Sequence, residues 1–165
     1  MEDKPKDITF HYTNEQMVED LITIIPIKNG DSVLDAGSGK NKVWCNKLKE
    51  DGRAGVITEC EIEDGCDFLE ETEKVDWVIG NPPFNISWKF TEKAINIAKV
   101  GIAFLVNNQG LNSQMTPRRL QTMKDKGFEL KHIRVVADKR WFGRYYFLIF
   151  TKEAKGFVSW ERKTY

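Results

Sequence analysis

An apolar run, Val75 to Gly80, ends abruptly in Asn81, Pro82, Pro83 and Phe84. Two prolines forbid both helix continuation and ordinary sheet pairing at that point. What they leave is an amide oxygen, a carbonyl whose own residue has no N–H, and an aromatic face. These groups accept hydrogen bonds and stack on flat rings. A second cluster, Asp35, Ala36, Gly37, Ser38 and Gly39, follows another apolar run. Its glycines permit a tight turn in which the backbone approaches a ligand, although a full dinucleotide fingerprint would need three. Glu59 lies 24 residues after Asp35, near the spacing at which a carboxylate accepts from ribose hydroxyls. Glu61 points the same way on an extended chain. The sequence favours Glu59 slightly and does not separate the two. Asp67 and Phe68 offer an acceptor for an adenine amino group and an apolar wall.

Positioning these residues requires a sheet. Thr13 and Asn14 open a helix in which Met17, Val18, Leu21, Ile22 and Ile25 recur at helical spacing until Pro26. A short buried strand (Ser32 to Asp35) precedes the glycine turn, and a helix over 41–50 follows it. Strands are expected at 54–60, at 66–70 (very short) and at 75–81. A helix from about Ser87 to Lys99 leads to a continuous apolar strand at 101–108. Asn107 to Arg119 reads as a polar loop able to reach a substrate. Thr116 and Pro117 then start a helix that ends before Gly127. The last two strands, 130–138 and 144–153, follow one another directly and should pair antiparallel at an edge of the sheet. Alternating strands and helices give an α/β fold, mostly parallel, with ligands at the carboxyl ends of the strands.

Composition sets wider bounds. A chain of 165 residues, 41% hydrophobic and 30% charged, suits one soluble domain. No apolar run is long enough to span a membrane, and the first residues do not form a signal peptide. Cys45, Cys60 and Cys66 are odd in number and lack a metal-ligand pattern, so free thiols in a reducing cytoplasm are expected and no metal is. The net charge of zero conceals a gradient: −9 over residues 1–75, +1 over 76–114 and +8 over 115–165. An acidic front and a basic back suggest a polyanion approaching one side. Arg118, Arg119, Lys124 and Lys126 share a helix, while Lys139, Arg140 and Arg144 flank Trp141 and Phe142. Phosphate contacts would give affinity without sequence information, and Trp141 could stack a base or simply cap the core. His11 and His132 are expected to be structural.

Together the motifs resemble the class I S-adenosylmethionine-dependent methyltransferases, in particular the adenine-N6 group. The catalytic motif of that group, (Asn/Asp/Ser)-Pro-Pro-(Tyr/Phe/Trp), is matched by Asn81-Pro82-Pro83-Phe84. Its cofactor loop resembles Asp35-Ala36-Gly37-Ser38-Gly39, and Tyr12-Thr13-Asn14 looks like its N-terminal cofactor motif with Asn in place of Pro. The resemblance covers roughly residues 10 to 152. It implies a Rossmann-like seven-stranded sheet, mostly parallel with one antiparallel strand near the C-terminus. It also implies S-adenosylmethionine as cofactor, bound by Thr13, Asp35, Ala36, Gly37, Gly39, Glu59, Glu61, Asp67 and Phe68.

The implied chemistry is an amino-group clamp. Both N–H hydrogens of an exocyclic nitrogen are accepted, on the Asn81 amide oxygen and the Pro82 carbonyl, which frees the lone pair from the ring. Pro83 stiffens the turn and Phe84 stacks a flipped base. DNA adenine is the first expectation. RNA adenine or guanine, protein glutamine, or a non-catalytic nucleic-acid-binding subunit of a methyltransferase complex remain alternatives. Only 81 residues follow the motif. A single catalytic domain over 1–165, without a separate target-recognition domain, is therefore expected. Arg118, Arg119, Arg140 and Trp141 would contact substrate, and a protein partner could supply sequence recognition. The short stretch from Glu61 to Asp67 leaves no room for the helix usual in the family, which would open the adenosine pocket on one side.

Overall fold

A computed structural model describes residues 13–139, 143–153 and 159–165, with backbone alone for 159–161. Seven strands form one sheet in the order β2-β1-β3-β4-β6-β5-β7. They are β1 (Ser32–Ala36), β2 (Val56–Cys60), β3 (Val75–Gly80), β4 (Ala98–Asn107), β5 (Glu129–Ala137), β6 (Tyr145–Thr151) and β7 (Ser159–Thr164). Strand β6 runs antiparallel to both β4 and β5; the other pairings are parallel.

Helices cover both faces. On one side, α1 (Glu15–Ile24) and α2 (Val43–Asp51) bury Met17, Val18, Leu21, Trp44 and Leu48 against Val33, Trp77, Ile79 and Phe147. Asn14 caps α1, its Oδ1 accepting from the N–H groups of Gln16 and Met17. On the other side, α3 (Ser87–Ile97) and α5 (Pro117–Asp125) bury Phe90, Ala94 and Met123 against Leu34, Val78, Phe104 and Phe150. Consecutive residues Val33 and Leu34, or Trp77 and Val78, thus enter opposite cores, which is why these strands read as unbroken apolar runs.

Four expectations are corrected. Residues 66–70 are not a strand: Phe68–Glu70 form a 3-10 turn, with the Asp67 side chain accepting from Leu69 N–H. That local hydrogen bond competes successfully with sheet pairing in so short a stretch. The β5–β6 pair does not lie at the edge, because β7 adds to β5 in parallel. The expected polar loop contains a helix, α4 (Asn108–Gln114), capped by Asn107, whose Oδ1 accepts from Gly110 N–H at 2.9 Å. Gln114 is buried there and donates to Thr91 Oγ1 at 2.6 Å and to the Ser87 carbonyl at 3.3 Å, anchoring α4 to α3. Finally, Cys60 and Cys66 form a disulfide; Cys45 is free and buried. Six residues of separation let the chain fold back through a tight turn at Gly65, a proximity that cysteine counting does not reveal.

Candidate active site

The two chemically suggestive segments meet. Strands β1 and β3 are parallel neighbours, with Asp35 opposite Ile79, so the glycine turn and the Asn81–Phe84 segment leave the sheet side by side. Gly80 makes the approach possible. Its φ is +150°, and a Cβ there would sit 2.6 Å from the Ala36 carbonyl oxygen. Only glycine allows that closeness.

Gly37 and Gly39 adopt φ values of +72° and +67°. The amides of Gly37 and Ser38 donate to the Cys60 carbonyl at 2.9 and 3.1 Å. Gly39 N–H donates to Glu61 Oε2 at 2.6 Å. Glu59, in contrast, is bridged to Lys42 at 2.5 Å, and the Lys42 ammonium holds its carboxyl below the usual range. The sequence preferred Glu59 by a small margin; the geometry puts Glu61 against the glycine turn. Lys42, with φ +48°, also reaches Asp64 at 3.5 Å. Its part in the turn carried no sequence signal.

Asp35 is fully buried at the end of β1. One carboxylate oxygen accepts from Cys45 N–H at 3.1 Å, capping the first turn of α2 from a distance; the other, Oδ1, is buried without a partner. Loss of water pushes its carboxyl from 3.8 up to about 7, opposed by the Cys45 hydrogen bond and assisted by the charges of Glu59 and Glu61. The native state therefore holds a proton that the unfolded chain has released across this interval. Its stabilising contribution is fully present below pH 3.8, declines as pH rises, and is lost through about pH 7. Asp35→Asn keeps the acceptor for Cys45. It is expected to stabilise the ligand-free protein at pH 8 by on the order of a few kcal/mol, with the gap closing towards pH 5. Urea unfolding of both proteins at several pH values checks this; parallel pH curves would remove the buried-carboxyl account.

Past Gly80, Asn81 turns its side-chain Oδ1 into the protein, where it is buried and lacks a hydrogen-bond partner. Pro82 is buried and Pro83 exposed. Phe84 begins a 3-10 turn and is half-buried, its ring 5.8 Å from that of Tyr145 at 48°. Tyr145 belongs to β6 and was not anticipated as a site residue, because its strand pattern reads simply as core. Burial and the Asp138 carboxylate raise its phenol above the ordinary value. Asp138, also buried, accepts from Asn14 Nδ2 at 3.4 Å, tying the start of α1 to the end of β5. Thr13, just before that cap, is half-buried.

The adenosine-side candidates divide. Asp67 is exposed and caps its own turn. Phe68 is buried against Phe90, ring centroids 4.8 Å apart, so it packs in the core and does not present an open face. Phe90 is the ring nearer the glycine turn: a Cβ on Gly37 would lie 3.6 Å from its Cε1. Strand β2 forms one edge of the sheet, with Val56 and Ile62 exposed.

Of the basic candidates, Arg118 is exposed on α5. Arg119 is half-buried, donating to Ser113 and lying over the Trp88 ring at 4.9 Å. Arg140 and Trp141 lie outside the described residues, as do His11 and Tyr12. Among the described residues, no helix is long and apolar enough to cross a membrane.

No protein-family model matches the sequence, and no curated protein matches it. Solved structures do. A Listeria monocytogenes protein assigned to the class I S-adenosylmethionine-dependent methyltransferases aligns with a TM-score of 0.63 at 17% identity, over 90% of this chain and 63% of its own. The 23S rRNA methyltransferase ErmE aligns with a TM-score of 0.67 at 15% identity, over 86% of this chain and 69% of its own. A protein of Vibrio vulnificus YJ016, described as the modification subunit of a type I restriction enzyme, aligns with a TM-score of 0.61 at 15% identity, over 95% of this chain and 48% of its own. The chain thus spans between about half and just over two thirds of these structures. At such identities the likeness is one of architecture, and the architecture of this chain is the Rossmann-like α/β fold of the class I S-adenosylmethionine-dependent methyltransferases.

Proposed function

We propose that this chain is an S-adenosylmethionine-dependent methyltransferase acting on an exocyclic amino nitrogen, with adenine N6 in DNA as the preferred target. The observation that carries the proposal is Asn81 Oδ1, a buried acceptor with no donor, beside the glycine turn on the neighbouring strand. Buried acceptors are normally satisfied, so an orphan at a strand's carboxyl end is a place where a ligand donor belongs.

The surrounding residues fit the cofactor. Gly37 and Gly39 form a turn whose Gly39 Cα faces open space, and Glu61 presents a carboxylate to it across the fold, with Asp67 six residues further along the chain. In our reading Glu61 accepts from the ribose hydroxyls, since it already faces the turn, and Asp67 from the adenine amino group. When bound, S-adenosylmethionine supplies an electrophilic methyl group on a sulfonium. The chain's own task is positioning. With its amide turned outward from the buried resting position, Asn81 Oδ1 accepts one N–H hydrogen of the target nitrogen and the Pro82 carbonyl accepts the other, which holds the nitrogen pyramidal. Pro82 keeps its carbonyl fixed without a competing donor. Phe84, backed by Tyr145, offers a ring edge and face for the base. No strong base is required, because the methylated nitrogen sheds its proton readily.

Nucleic acid as the substrate class is supported by the basic final third and by likeness to an rRNA methyltransferase and a restriction-modification subunit. Incubation with labelled cofactor and DNA or RNA, followed by nucleoside mass spectrometry, tests it directly. N6-methyl-deoxyadenosine is the expected product; N6-methyladenosine from RNA alone would move the target to RNA. Label confined to protein glutamine would exclude nucleic acid. Absence of turnover by the purified chain, restored by cell extract, would instead favour a subunit of a larger enzyme.

Binding to DNA should weaken steeply with salt and show little sequence preference. Arg118→Glu removes one exposed cation and should lower the log–log salt slope by about 0.9 on duplex or 0.7 on single strands. Cofactor affinity should not change. A salt-independent interaction would count against nucleic acid altogether.

A further inference from the structure

The disulfide sits where the ligand-facing turn is anchored. Cys60 is the last residue of β2 and is buried; its carbonyl takes the amides of Gly37 and Ser38. Glu61 follows at once and takes the amide of Gly39. Every amide of the Gly37–Gly39 segment is therefore held by two consecutive residues, 60 and 61. The chain then turns through Ile62–Asp64 and Gly65, and Cys66 N–H donates back to the Glu61 carbonyl at 3.1 Å. Cys66, half-buried, closes the loop onto Cys60 and hands the chain to Asp67 and Phe68. One covalent bond thus ties the acid facing the turn to the segment expected at the adenine end. Without it, residues 61–66 would be an exposed, acidic, glycine-containing loop on an edge strand, and loops of that kind open at low free energy.

We propose that Cys60–Cys66 is a redox modification site that governs cofactor affinity: the disulfide clamps Glu61 and the glycine turn in the binding arrangement, and its reduction releases them. The proposal rests on the S-adenosylmethionine reading above. Its chemistry is thiol–disulfide exchange with a dithiol reductant. A reductant thiolate attacks Cys66 Sγ, the more accessible sulfur, forming a mixed disulfide and expelling the Cys60 thiolate. The second reductant thiol then displaces Cys66. Two electrons and two protons pass to the protein, which ends with two thiols while the reductant ends as its own disulfide. Cys45 takes no part, being buried in α2.

The test compares oxidised protein with protein reduced by dithiothreitol, using two readouts. A chelator is present throughout, because the two sulfurs and a Glu71 carboxylate oxygen lie within 4.8 Å of one another and a metal ion could re-bridge the reduced pair. Calorimetry with S-adenosylhomocysteine should show affinity falling on the order of tenfold on reduction, within the span of roughly 5–150-fold typical of coupling between sites. Without any ligand, the amides of Gly37, Ser38 and Gly39 should exchange hydrogen faster after reduction, while those of β3 and β4 should not change. Cys66→Ser should reproduce the reduced values and be insensitive to dithiothreitol.

Equal affinity and equal exchange in the two redox states would overturn the proposal, as would three free thiols in protein treated with oxidant. Faster exchange with no binding of S-adenosylhomocysteine in either state would uphold the clamp on the turn and overturn its assignment to this cofactor, a failure of the functional reading and not of the switch itself.

Discussion

Replacing Asn81 with alanine is expected to lower methyl transfer by roughly 10²–10³-fold, the loss typical when one preorganised polar group at the reacting atoms is removed. S-adenosylhomocysteine binding should be nearly unchanged, because in the proposed mechanism the amide acts on the target nitrogen and not on the cofactor. Stability should not fall. The Asn81 Oδ1 is buried without a partner, and an unsatisfied buried acceptor costs the folded state about 1–3 kcal/mol. Removing it relieves that cost, so the melting temperature should be equal or somewhat higher. Asn81→Asp, which retains an acceptor oxygen, should lose less activity than Asn81→Ala. Parallel measurement of turnover, ligand binding and thermal unfolding separates these effects. Near-normal methylation by Asn81→Ala would end the clamp mechanism, and collapse of cofactor binding would reassign the residue.

The second large effect is expected at Gly80, and it arises from packing. A methyl group there meets the Ala36 carbonyl oxygen at 2.6 Å on a backbone with φ +150°. Overpacking and unfavourable φ each contribute on the order of 1–3 kcal/mol, so Gly80→Ala should destabilise the chain by about 2–6 kcal/mol. That is a large share of the roughly 5–15 kcal/mol available to a domain. Gly30→Ala provides the comparison: its φ is +91°, yet nothing lies within 4 Å of an added Cβ. Gly30→Ala should therefore show the backbone effect alone, and the difference between the variants isolates the clash. Under conditions where Gly80→Ala still folds, separation of β1 from β3 should weaken both cofactor binding and turnover. Equal urea midpoints for the two variants would show that the strands adjust without cost.

What the sequence determined by itself was local or periodic. Asn14 and Thr116 announce helix starts because a side-chain acceptor next to free amides is a short-range interaction. The two-sided apolar runs of β1, β3 and β4 announce a sheet covered on both faces, because burial on both sides leaves no polar alternation. The short composition around Asn81-Pro82-Pro83-Phe84 likewise marks a strand end, since proline acts on its own backbone.

Tertiary structure decided the remainder, and each case involves a partner distant in sequence or a competition between neighbours. Residues 66–70 are expected to pair as a strand, but the Asp67 side chain satisfies a nearby amide and Cys66 is bonded to Cys60 at the end of β2. The seventh strand is Ser159–Thr164, whose place beside β5 depends on pairing across the final segment of the chain. Glu59 and Glu61 are indistinguishable by alternation; the difference comes from Lys42 reaching one and Gly39 N–H reaching the other. Tyr145 faces Phe84 only because β6 inserts between β4 and β5. The role of Gly80 is the plainest example: its need for glycine lies in the Ala36 carbonyl, 44 positions earlier in the chain, brought within contact by the parallel pairing of β1 and β3.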